Sequence, residues 1–227
     1  MSIKETVSAG VRKIAEAGKD VDAKTVAFVK KTFHQTHEAC DKSGASLKTA
    51  TEETLAGVAA GLKSAGHQTG HLVGKCAQAI SDDTRKATEA SLAAARKAAD
   101  HAKASLAVAT KKAVEHSKDG VNKAEEDTRA AMTSAYADLQ KKISQAEAHL
   151  KDVTTGINAY AKSSAHDLDA ASRKAMHDAA HQTQAALVAL EKAAKEHSKT
   201  LLHHSEEKLS QWLDNLKAKL GHRHHKV

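Results

Sequence analysis

Residues 132–160 read MTSAYADLQKKISQAEAHLKDVTTGINAY. Met132, Tyr136, Leu139, Ile143, Ala146, Leu150, Val153, Ile157 and Tyr160 recur here at alternating steps of four and three. That rhythm puts every one of them on a single stripe of an α-helix, as in a heptad seam. A strand would need alternation every second residue, and this stretch has none. The same spacing recurs at Leu55, Val58, Leu62, Ala65, Thr69, Leu72, Cys76 and Ala79, which predicts one helix through that region. Near the C-terminus, Leu202, Leu209, Leu213, Leu216 and Leu220 share a face, with Trp212 on its shoulder.

Composition agrees with helix from end to end. The 227 residues include no proline, the strongest helix breaker, and much of the 41% hydrophobic content is alanine, the best helix former. Alanine buries little area, so the expected core is thin and leans on neighbouring helices, on further copies of the chain or on a surface. The sequence therefore predicts an all-α protein: long amphipathic helices in an up-and-down antiparallel bundle or a coiled-coil assembly. One elongated helical domain is expected over residues 1–227. Within it, a Gly/His-containing hairpin would occupy 1–80, Ala-rich heptad helices 81–221 and a basic His-rich tail 222–227. Breaks are expected in CDKSGASL (40–47), ISDDTRK (80–86) and SKDGVNK (117–123), with weaker signals at Gly156 and at Ser163–Ser164. A short repeat, VSAGVRK (7–13) and VAAGLKS (58–64), suggests that two early helices pack in similar ways.

Net charge is +7, but acids alternate with bases in segments such as KAEEDTR and LEKAAKEH. Such interleaving marks a solvated helix face rather than a phosphate-binding one. With aromatics at 2% there is little to stack on bases, so nucleic acid is not expected as a partner and a basic nucleoid-associated role ranks third. No run of apolar residues is long enough to span a bilayer. The start, MSIKETVSAG, lacks the apolar core of a signal peptide, and Cys40 and Cys76 form no disulfide framework. A cytoplasmic location is the expectation. The chain lacks GxSxG, P-loop and GxGxxG patterns, so no enzyme and no organic cofactor are expected.

Histidine is the unusual residue, with 16 copies. His67 and His71, and likewise His177 and His181, lie four apart on a helix face. His34 and His37 lie three apart, with Cys40 three further on and Glu38 and Asp41 each four beyond a histidine. Two imidazoles at this spacing can occupy two positions around zinc, copper or nickel, but a specific site needs more ligands. His34, His37 and Cys40 could reach one ion. On one continuous helix Cys76 lies roughly 180° and 140° around from His67 and His71, taking about 100° per residue, and so falls in the apolar seam instead. Gly66, Gly70 and Gly74 form a small-xxx-small line suited to close helix contact.

The segment TRKATEASLAAARKAADHAKASLAVATKKAVEHSKDGVNKAEEDTRAAM (84–132) resembles three kinds of protein. These are the phasins that coat bacterial polyester granules, the amphipathic helices of exchangeable apolipoproteins, and the late-embryogenesis-abundant stress proteins. The similarity covers most of residues 80–200 and is compositional, so no site residue is carried over. The histidines depart from all three patterns, and the heptad at 132–160 departs from the stress proteins. The resemblance implies a non-enzymatic protein that self-associates, scaffolds an assembly or coats a granule or lipid surface. A His-rich metal-binding or metal-buffering bundle is the alternative.

Overall fold

The structure, a computed structural model, describes the backbone of residues 2–113 and 118–194 and most of their side chains. Six helices account for nearly all of it: α1 (Ile3–Glu16), α2 (Val21–Ser43), α3 (Leu47–Ser64), α4 (Gly70–Ala113), α5 (Lys118–Ser163) and α6 over residues 170–194. No strand occurs among the described residues. The chain divides into two compact units, one of residues 1–89 with 146–189, the other of residues 90–145 with the segment from Leu190 onward.

The helix ends follow local chemistry. Ser2 and Glu5 form a reciprocal capping box on α1, with Glu5 N–H donating to Ser2 Oγ and Ser2 N–H donating to Glu5 Oε2. Gly44 closes α2 in the left-handed conformation (φ 71°) and donates its N–H to the Cys40 carbonyl, before Ser46 caps α3. The expected break at 40–47 is thus present. Asp169 caps α6: its Oδ1 accepts from Ser172 N–H at 2.7 Å and from Ser172 Oγ at 2.6 Å. These two bonds hold the Asp169 carboxyl below the ordinary aspartate range. A depressed folded-state value means that Asp169 favours folding at neutral pH and loses that contribution as pH falls below about 4. Asp169→Asn, which can still accept the Ser172 N–H, is expected to melt lower than wild type near neutrality. The gap should close on acidification, as thermal melts at a series of pH values would record.

Two expected breaks do not occur. Residues 80–86 lie inside α4, because Ser81 is buried and spends its hydroxyl across the bundle, donating to the Ala179 carbonyl at 3.1 Å and lying 2.6 Å from Thr183 Oγ1. The expected break at 117–123 falls beside the join of two helices, since α4 ends at Ala113 and α5 starts at Lys118, with residues 114–117 outside the described residues; Gly156 sits within α5. Conversely, the turns after α1 and α3 had no expected counterpart. Gly18 (φ 70°) and Gly66 (φ 73°) sit in these turns. The turn at 65–69 splits the predicted seam of 55–79 in two, leaving Leu55, Val58 and Leu62 in α3 and Leu72, Cys76 and Ala79 in α4, all buried. The helices are also unequal, from 14 residues in α1 to 46 in α5.

Within the first unit the contacts fix the topology. Gly57 meets Lys4 and Val7, and Gly61 meets Ser8 and Val11, so α1 and α3 run parallel. Ser46 bonds Asp152, and Gly156 meets Lys48 and Thr51, so α3 and α5 run parallel. Lys75 pairs with Asp22 and His34 faces Asp83, which makes α2 parallel to α4; Gly70–Asp169 and Gln78–Gln182 make α4 parallel to α6. Consecutive helices therefore alternate in direction, an up-and-down bundle. Its core draws on every helix, including Val7, Val11, Val29, Phe33, Leu55, Leu62, Ile80, Ile157 and Met176. In the seam of α5, Leu139, Ala146, Leu150, Val153, Ile157 and Tyr160 are buried and Ile143 is half-buried. The side chains of Met132 and Tyr136 lie outside the described residues, as do Leu209, Trp212, Leu216 and the tail at 222–227.

The two copies of the short repeat meet each other. Gly61 of VAAGLKS lets α1 approach so closely that a Cβ there would lie 2.6 Å from the Ser8 carbonyl of VSAGVRK. Gly10 of the first copy instead lies under the Phe28 ring of α2. Both glycines serve close approach, but to different partners.

Candidate functional site

The inward stripe of α2 runs Thr25, Val29, Phe33, His37 and Cys40. His37 thus occupies a core position, and only 9% of it is exposed. One turn further, Asp41 lies on the same side of the helix. From α5 comes His149, the residue before the buried Leu150. Ligand atoms of His37, Asp41 and His149 all lie within 4.8 Å of one another.

Asp41 stands between the two rings. Its Oδ1 is 3.1 Å from His149 Nε2 and its Oδ2 is 3.8 Å from His37 Nδ1. The rings meet edge to face, with centroids 4.6 Å apart and an interplanar angle of 71°. His37 Nε2 is buried with no hydrogen-bond partner among the described residues. Burial, then the neighbouring His149, pushes the His37 imidazole below its ordinary value, against opposing pulls from Asp41 and Asp83. His37 is therefore neutral at physiological pH, the form that offers a lone pair. His34, one turn before His37, lies 3.5 Å from Glu38 and 3.6 Å from Asp83. Asp41 is the most open of the three side chains, at 43% exposure.

Cys40 does not join this group. Its thiol is pushed up by burial, then by Asp41 and Asp152, which disfavours the thiolate that metals require. His34 turns to Glu38 and Asp83, so His34, His37 and Cys40 do not converge. His67 is exposed in the α3–α4 turn, and His71 is exposed in the first turn of α4, so these two do not share one helix. His177 and His181 stack at 6.4 Å on the solvent side of α6. Cys76 is fully buried, and burial, then Asp22, pushes its thiol to about 12. Of the glycine line, Gly70 and Gly74 pack on α6 at Asp169, Ser172 and Ala175, whereas Gly66 faces open space in its turn.

Asp41 was legible as the residue four beyond His37. His149 carried no signal of its own, since it borders a heptad seam where a solvated residue is the ordinary expectation. No protein-family model, curated protein or solved structure matches the chain. No helix among the described residues is long and apolar enough to cross a membrane.

Proposed function

We propose that the protein is a non-enzymatic helical coat or scaffold, whose bundle opens so that its amphipathic helices lie on a hydrophobic surface such as a lipid or polyester droplet. One observation carries this proposal: four of the six buried threonine hydroxyls among the described residues are satisfied within their own helices. Thr51, Thr54, Thr84 and Thr183 each donate to the carbonyl four residues back, at 2.7–2.9 Å. Opening the bundle leaves those bonds intact. Two further buried hydroxyls, Thr25 and Thr88, have no partner among the described residues, so opening breaks no bond of theirs. What binds helix to helix is chiefly apolar contact, which is non-directional and which an apolar surface can replace. The short turns at Gly18, Gly44 and Gly66 would serve as hinges.

The link between α4 and α6 offers a test. Ser81 Oγ and Thr183 Oγ1 lie 2.6 Å apart, so a small adjustment would bring sulfurs at these two positions to the roughly 2.0 Å of a disulfide. Ser81→Cys with Thr183→Cys should form a disulfide that holds the two helices together. Flotation with triolein emulsion and with polyhydroxybutyrate particles is expected to recover the wild type and the reduced double variant, but much less of the oxidised form. Equal recovery of both redox forms, or no recovery of the wild type on either particle, would overturn the proposal.

A further inference from the structure

We infer that His37, Asp41 and His149 form a binding site for a divalent transition-metal ion of the zinc, nickel, cobalt or copper class, tying the end of α2 to α5. The inference stands independently of the surface-coat proposal.

The ligand types select the ion. Two imidazoles and one carboxylate suit borderline ions, whereas magnesium and calcium favour all-oxygen shells. Nitrogen and oxygen ligands lie about 2.0–2.2 Å from zinc, which places neighbouring ligand atoms about 3.2–3.6 Å apart at tetrahedral angles. His149 Nε2 and Asp41 Oδ1, at 3.1 Å, already stand near that separation. His37 Nδ1 needs only a small side-chain adjustment from its 3.8 Å distance to Asp41. Asp41, partly open to solvent, is the member with freedom to make it.

His37 is uncommitted. Its Nδ1 stands beyond hydrogen-bond distance from Asp41, and its buried Nε2 has no partner among the described residues. A histidine placed in a core stripe solely for packing leaves its buried nitrogen unpaired, at a cost an apolar residue would avoid. Three protein ligands leave coordination positions open toward the solvent side of Asp41, where water or a small donor would complete the shell. The geometry is that of a bound ion with exchangeable positions, not of a closed four-ligand structural site.

The test must separate this group from the other histidines. Full-length protein stripped with a chelator, incubated with zinc chloride and passed over a desalting column, should retain metal. His149→Gln and Asp41→Asn should each retain one equivalent fewer than wild type, or bind that equivalent at least about tenfold more weakly. His177→Gln with His181→Gln, which removes an exposed stacked pair, should retain as much as wild type. Zinc should raise the melting temperature of the wild type, because an ion bound only by the folded chain stabilises it, and magnesium at equal concentration should not. Circular dichroism without metal checks that the variants fold; should His149→Gln fail, Asp41→Asn at its half-exposed position decides the matter alone. Wild-type retention by Asp41→Asn, or no retained zinc in the wild type, would overturn the inference.

Discussion

Replacing Phe33 by alanine is expected to lower the stability of the folded chain by about 3–5 kcal/mol. Phe33 lies on the inward stripe of α2 and is fully buried, the one aromatic among the largest fully buried side chains. The core it belongs to is otherwise valines, leucines, two isoleucines, a methionine, alanines, two cysteines and Tyr160, close-packed side chains that cannot move far enough to refill the space a phenyl ring vacates. Net stabilities of folded proteins are only about 5–15 kcal/mol, so this loss would consume a large share. Urea denaturation followed by circular dichroism should show an earlier midpoint. Val188→Ala, at the exposed position on α6, should stay within about 0.5 kcal/mol of wild type.

Gly61→Ala is expected to destabilise by about 1–3 kcal/mol, although alanine favours helix over glycine by about 1 kcal/mol. The two effects oppose each other, and contact geometry decides between them. A Cβ on Gly61 would lie 2.6 Å from the Ser8 carbonyl oxygen and 2.9 Å from Val11 Cβ. The nearest obstacle is backbone of another helix, so no rotamer change relieves it and α1 must move outward. Gly57→Ala should act in the same direction, at 2.8 Å from the Lys4 carbonyl. Melting temperatures of the two single variants and the double variant would check this; a rise in stability for Gly61→Ala would mean that α1 does not pack as described.

The same contrast explains which parts of the fold were legible. Glycine is the only strong breaker in a chain without proline, yet it plays two roles here. Gly18, Gly44 and Gly66 adopt positive φ in turns, while Gly10, Gly57, Gly61, Gly70, Gly74 and Gly156 sit at close contacts within helices. Nothing local separates the two uses, because the distinction lies in what stands opposite each residue. The turn at 44 could be read because serine and aspartate surround it. The turns at 18 and 66 could not, and the capping residues at 81–83 misled because Ser81 found its partner on α6. The candidate site divides likewise: His37 and Asp41 are related by helical spacing, but His149 reaches them only through the packing of α5 beside α2.

By itself the sequence determined that the chain is helical, that its apolar residues form stripes and that residues 139–160 belong to a seam. These follow from period and propensity, which act over one or two turns and need no partner. Only the tertiary structure decided which glycines bend the chain and which admit a neighbour, and which three of the many imidazoles and carboxylates converge. Those outcomes depend on contacts between residues far apart in the chain, and such contacts leave no mark on the periodicity of either segment.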